Sequence, residues 1–98
     1  MPKTVVVTIQ NFAFEPSSVT IDAGDSVSWE NRDAMAHTAT RNDPPAFDTG
    51  GLAQGEASEP IVFEYESDAK GWRYFCRPHP HMIGTVIVRA AAYSASAK

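Results

Sequence analysis

Along most of this 98-residue chain the apolar side chains recur at every second position, and no long stretch carries the period of a helix. Val5, Val7 and Ile9 alternate with Val6, Thr8 and Gln10. Val19 shares a face with Ile21, and Val27 with Trp29. Ile61, Phe63 and Tyr65 form an inward set between Val62, Glu64 and Glu66. Trp72, Tyr74 and Cys76 fall opposite Arg73 and Phe75, and Val86 and Val88 share a face of the last run, Thr85 to Arg89. Ala23-Gly24-Asp25, Gly50-Gly51 and Ala69-Lys70-Gly71 supply turn chemistry between these runs. A strand with period two hides one face, so two sheets must pack against each other. The pattern predicts an all-β fold, a two-sheet antiparallel Greek-key β-sandwich of about eight strands. Thr40 to Pro60 breaks the pattern: it is rich in Asp, Gly, Pro and Ser and reads as a surface excursion anchored by Phe47 and Leu52. Residues 1–89 are expected to form one domain, and the Ala-rich residues 90–98 a flexible tail.

Charge excludes several functions. Twelve acidic against eight basic residues leave a formal net charge of −4. No basic stripe is present to replace phosphate counterions, which argues against nucleic acid as a partner. No apolar run approaches the roughly 20 residues of a membrane span. Cys76 is the only cysteine, so no internal disulfide forms. Met1-Pro2-Lys3 leads straight into a strand-like run without a secretory signal; for an exported protein this would be the mature part.

Chemistry concentrates in Tyr74-Phe75-Cys76-Arg77-Pro78-His79-Pro80-His81-Met82-Ile83-Gly84. Cys76, His79 and Met82 stand at three-residue intervals, and Pro78 and Pro80 stiffen the loop by fixing φ. Thiolate, imidazole and soft thioether belong to a trigonal His₂Cys copper site with a weak axial Met. The second imidazole must come from elsewhere, and only His37 lies outside the loop. Each residue alone has a plainer reading: Cys76 as a small buried hydrophobe, Met82 as core filler, a histidine as a surface or capping group. At this spacing they point together to a metal. Met35 is a rival axial ligand, although a core or rim contact suits its place two residues before His37. His81 is the weaker histidine and is expected to face solvent.

Other classes fit less well. A Cys76–His79 nucleophile pair lacks a Gly-rich or helix-N-terminal oxyanion site beside it. Structural zinc rarely recruits Met. A multicopper oxidase would flank Cys76 with histidines, where this chain has Phe75 and Arg77. A metal-free interaction module would have no use for these side chains. A copper delivery module using the same ligands stays open.

From Phe12 to Val88 the chain resembles the cupredoxins, the type 1 blue copper proteins, and among them it is most similar to amicyanin, with plastocyanin-like relatives. The resemblance is carried by Phe12-Ala13-Phe14-Glu15-Pro16, Val19-Thr20-Ile21, Gly24-Asp25, Val27-Ser28-Trp29, the approach Trp29-Glu30-Asn31-Arg32-Asp33-Ala34-Met35-Ala36-His37, and the short loop Cys76 to Met82. It implies one copper ion held by His37, Cys76, His79 and Met82 in a soluble single-electron carrier, not an enzyme. It also implies that His79 is the solvent-edge ligand, ringed by Pro45, Pro78, Pro80 and Met35. Implied partners are redox proteins such as a c-type cytochrome or a dehydrogenase, met transiently by a monomer in the periplasm or another extracytoplasmic space. Two departures stand out. His81 replaces an aromatic residue, which makes the rim more polar. Thr38 replaces an Asn that in cupredoxins helps tie the ligand segments by a hydrogen bond, a task a Thr hydroxyl can also perform.

Overall fold

The computed structural model describes residues 2–91. Nine strands run in chain order: β1 Thr4–Gln10, β2 Ala13–Glu15, β3 Ser18–Asp22, β4 Ser26–Asn31, β5 Thr40–Arg41, β6 Phe47–Asp48, β7 Ile61–Val62, β8 Trp72–Phe75 and β9 Ile83–Arg89. They build a four-stranded sheet in the order β2-β1-β4-β7 and a five-stranded sheet in the order β3-β9-β8-β5-β6. Among the described residues no helix is long and apolar enough to cross a membrane.

Alternation places the core. Val7, Ile9, Val19, Ile21, Val27, Trp29, Tyr74, Cys76, Val86 and Val88 are all buried, as their period-two spacing requires. Trp29 is the hub, with Phe47 stacked on it at 5.4 Å and Tyr74 edge-on at 5.2 Å between ring centroids. Phe14 meets Tyr74 at 4.7 Å and Phe63 meets Phe47 at 5.5 Å. Gly84 pairs with Tyr74 across β8 and β9, and a Cβ there would fall 2.3 Å from the Tyr74 ring and hydroxyl. Only glycine leaves room for that phenol.

Four details differ from the alternation-based expectation. First, two strand pairs are parallel, β1 with β4 and β3 with β9, in otherwise antiparallel sheets. The chain reverses from β1 into β2, then again at Asp22–Asp25 while changing sheets, and two reversals bring β4 back parallel to β1. Second, Tyr65 is 76% exposed rather than inward. The strand stops at Val62: the Phe63 amide turns to the Asp25 carbonyl, and the Ser67 amide bonds Val88 in the other sheet. Third, the stretch 40–60 carries regular structure, namely β5, β6, and single bridges Glu30–Ala57 and His37–Leu52. Phe47 and Leu52 do anchor it, Phe47 against Trp29 and Leu52 buried at the bridge. Fourth, Ala91 is buried, one residue into the expected tail, while residues 92–98 lie outside the described part.

Candidate metal centre

The link from β4 to β5 passes from one sheet to the other and carries His37. The loop from β8 to β9 carries Cys76, His79 and Met82. These two connections and the β1–β2 turn meet at one end of the sandwich, where Phe12 sits edge-on to both His37 and His79 at 5.1 Å.

The two-residue gaps of the loop have a backbone cause. The His79 amide donates to the Cys76 carbonyl at 3.2 Å, the Met82 amide to the His79 carbonyl at 2.9 Å, and the Cys76 amide closes the circuit onto Met82 at 3.2 Å. The three residues that bear donor side chains are thus the three whose peptides knit the loop. Pro78 and Pro80 lack an amide proton, and neither position is asked to donate.

His37 is held from farther away. Asn31 is fully buried; its Nδ2 donates to the Met35 carbonyl at 2.9 Å and to the Leu52 carbonyl at 2.8 Å, while its Oδ1 accepts the Asp33 amide at 2.9 Å. That turn presents Asp33, whose carboxylate accepts the amides of Asn11 and Phe12 at 2.8 and 2.9 Å and lies 2.9 Å from His37 Nε2. Asn11 and Phe12 both sit in the left-handed region, at φ 56° and 57°, and Asp33 is what caps their strained turn. Desolvation pushes the Asp33 carboxyl up, but the Phe12 and Asn11 amides and His37 together outweigh it and hold it below the usual carboxylate range. An ionised Asp33 accepts from Nε2–H, which leaves Nδ1 as the free nitrogen aimed into the site.

All three strong donors then converge. One ligand atom each from His37, Cys76 and His79 lies within 4.8 Å of the others, and Cys76 Sγ stands 3.6 Å from Nδ1 of both imidazoles. His37 and Cys76 are fully buried, His79 is half-buried, and Met82 is buried in the same loop. The Thr38 amide points at Cys76 Sγ from 3.4 Å, and the Thr38 hydroxyl accepts the Arg77 amide at 3.0 Å. Thr38 therefore makes the tie between the two segments that the resemblance assigned to it. Two residues before Cys76, Tyr74 packs edge-on against Trp29 in the core, and burial pushes its phenol far above the ordinary range, the Trp29 side chain opposing.

Met35 is half-exposed, which excludes the core contact that its position before His37 also allowed. His81 is exposed, its ring 6.4 Å from that of His79. Sequence reasoning gave no individual role to Phe12 or Asp33. The spacing of Asp33 four residues before His37 was the available signal for one; for Phe12 there was none, because its partners are 25 and 67 positions away in the chain.

Similarity to known proteins agrees with this geometry. A model of copper-binding proteins of the plastocyanin/azurin family matches residues 2–89. The chain is 36% identical over 88 residues to the amicyanin of Paracoccus versutus, covering 86% of this chain and 64% of that protein. It is 33% identical over 90 residues to the plastocyanin of Scenedesmus fuscus, covering 78% of this chain and 86% of that one. The chain spans a little under two thirds of the length of the two Paracoccus amicyanins it matches. The crystal structure of the Paracoccus versutus amicyanin superposes with a TM-score of 0.77 at 34% identity, covering 88% of this chain and 81% of that one. A copper(I) form of a variant amicyanin superposes with a TM-score of 0.79 at 27% identity, covering 88% and 82%. Strand order, a thiol between two imidazoles and these matches lead to one conclusion: the chain belongs to the plastocyanin/azurin family of copper-binding proteins.

Proposed function

We propose that the protein is a single-electron carrier whose copper ion is held by His37, Cys76 and His79, with Met82 as the weak axial ligand. The observation that carries this reading is the thiol sulfur placed 3.6 Å from Nδ1 of each of two imidazoles, one fixed by a carboxylate and one in the loop itself. The donor set suits copper: thiolate and two imidazoles form a trigonal plane, and a thioether is the usual distant fourth partner. Copper bound there supplies a one-electron couple between Cu(II) and Cu(I).

The protein's own residues keep that couple in one geometry. Asp33 fixes the His37 ring and its tautomer, and the Thr38 amide stabilises negative charge on the Cys76 sulfur. The loop's own backbone bonds hold Cys76, His79 and Met82 in place without help from a metal. Ligands held this firmly move little when the charge changes, which is what rapid electron transfer needs. His79 is the most exposed of the four and serves as the electron port, with half-exposed Phe12 edge-on to its ring. Copper delivery, which needs ligands that open to a partner, fits poorly with a fully buried His37 and Cys76.

The same reading makes the protein a carrier rather than an enzyme, a monomer that meets redox proteins such as a c-type cytochrome or a dehydrogenase transiently, in an extracytoplasmic compartment, with residues 1–89 as the working domain. Similarity to amicyanins and plastocyanins supports the carrier role and the compartment. Adding Cu(II) to the metal-free protein and recording the visible spectrum tests the core claim. An intense thiolate-to-copper band is expected, absent from Cys76→Ser; a protein that binds Cu(II) without such a band would overturn it. Stopped-flow oxidation and reduction by a cytochrome c, with copper retained against a chelator, separates carriage from delivery.

A further inference from the structure

A closed ring of polar groups surrounds the start of the ligand loop. The Arg77 amide donates to Thr38 Oγ1 at 3.0 Å, and Thr38 Oγ1 lies 2.9 Å from Thr40 Oγ1. Thr40 Oγ1 donates to Asp48 Oδ1 at 3.0 Å, and Asp48 Oδ2 is met by the Arg77 guanidinium, Nη2 at 3.0 Å and Nε at 3.2 Å. The ring leaves residue 77 through its backbone and returns through its side chain.

Its direction is determined. A hydroxyl has one proton to give. Thr40 gives its proton to Asp48, so Thr38 must donate to Thr40 and face the Arg77 amide with its lone pairs. Desolvation raises Asp48, but the Gly50 amide, the Thr40 hydroxyl and Arg77 outweigh it and keep it ionised, so it only accepts. Pairing of Thr40 with Asp48 across β5 and β6 keeps the carboxylate in place. Both threonines are buried, where hydrogen bonds aligned head to tail strengthen one another. The Arg77–Asp48 ion pair is exposed at both ends and adds little by itself.

We propose that Asp48 is a positioning residue for the metal centre: through Thr40 and Thr38 it aligns the Arg77 amide and locks the Cys76–Arg77 peptide against the His37–Thr38 peptide. Two reciprocal bonds then join these neighbours of the two buried ligands, the Thr38 amide to Cys76 Sγ and the Arg77 amide to the Thr38 hydroxyl. Loosening Thr38 loosens the contact to sulfur as well. The role rests on His37 and Cys76 being copper ligands, but the ring itself exists without metal.

Thr40→Val preserves volume and charge and removes both hydroxyl bonds; Thr40→Ser retains them. In the metal-free protein, exchange of the Arg77 amide followed by NMR is expected to be about fivefold to tenfold faster in Thr40→Val, as for loss of one net hydrogen bond. It should stay at the unmodified rate in Thr40→Ser. In the copper-loaded protein the thiolate-to-copper band should shift and broaden in Thr40→Val and be restored in Thr40→Ser. Asp48→Ala, at a partly exposed site, gives the same pair of readouts if Thr40→Val does not fold. An unchanged Arg77 exchange rate overturns the proposal, and so does faster exchange with an unaltered band, since the ring would then be a structural tie only. If the unmodified protein lacks the band, the copper reading fails and takes this role with it, even where Arg77 exchange still responds.

Discussion

The two segments that build the centre are held in opposite ways. The loop 76–82 closes on itself through three backbone bonds among Cys76, His79 and Met82. The segment 31–40 is held by partners distant in the chain: Leu52 for Asn31, Asn11 and Phe12 for Asp33, Arg77 for Thr38. One half of the site is made by its own residues, and the other exists only when the sandwich around it is assembled. The centre is therefore most vulnerable on the His37 side, although the loop contributes more of the donors.

The strongest way to break this contrast is Asn31→Ala. It strips partners from two carbonyls and one amide at a fully buried position, at a cost of about 2–4 kcal/mol in the metal-free protein. Chemical denaturation measures that cost. A loss within experimental error of zero would mean that the distant bonds do not hold the segment. Asp33→Ala comes next. It frees the strained Asn11–Phe12 turn and the His37 ring, and copper affinity is expected to fall about 10- to 100-fold. Competition with a chelator reads this, and an unchanged affinity would show that His37 needs no outside support.

Acid sharpens the same comparison. The Lys3 and Asp22 amides hold Asp25 below its ordinary 3.8, with desolvation opposing, and Asp48 is also held low. A carboxyl whose folded pKa is depressed adds stability that is complete above the unfolded pKa and disappears as pH falls through the lower folded value. Metal-free protein should thus be steady above about pH 5 and weaken below about pH 4. Asp25→Asn should flatten that decline. The His79 and Met82 amides bond only within the loop and to no carboxylate, so their exchange should respond to acid later than that of the amides of 31–40. The smallest effect is expected from Pro78→Ala: about 0.4–1 kcal/mol through greater freedom of the unfolded chain, with the thiolate-to-copper band unmoved. A larger loss than for Asn31→Ala would invert the contrast.

The same division explains what could be read from the residues. Alternation identified the inner faces of β1, β3, β4, β8 and β9, because each long strand repeats its signal several times. It misplaced Tyr65, where a two-residue strand is too short for a pattern and hydrogen bonds to Asp25 and Val88 decide where the chain goes. It also passed over β5 and β6, whose short pairing is sustained by Phe47 under Trp29 rather than by any local pattern. The parallel pairs escaped notice because period two is the same whichever way the neighbouring strand runs.

For the site, spacing alone marked Cys76, His79 and Met82, since a compact loop writes its geometry into consecutive positions. His37 was identified as the remaining suitably placed imidazole, and what orients it was not visible. Phe12 and Asp48 act on residues from which they are separated in the chain, and nothing in their own neighbourhoods announces the role; only Asp33, four residues before His37, carried a local signal. The residues by themselves determined an all-β chain with a soft donor set in one tight loop. The tertiary structure decided which strands run parallel, which nitrogen of His37 faces the thiol, and which carboxylates stand behind the ligands. Those choices depend on hydrogen bonds between segments 21 to 67 positions apart, and such bonds form only once hydrophobic burial has brought the two sheets together.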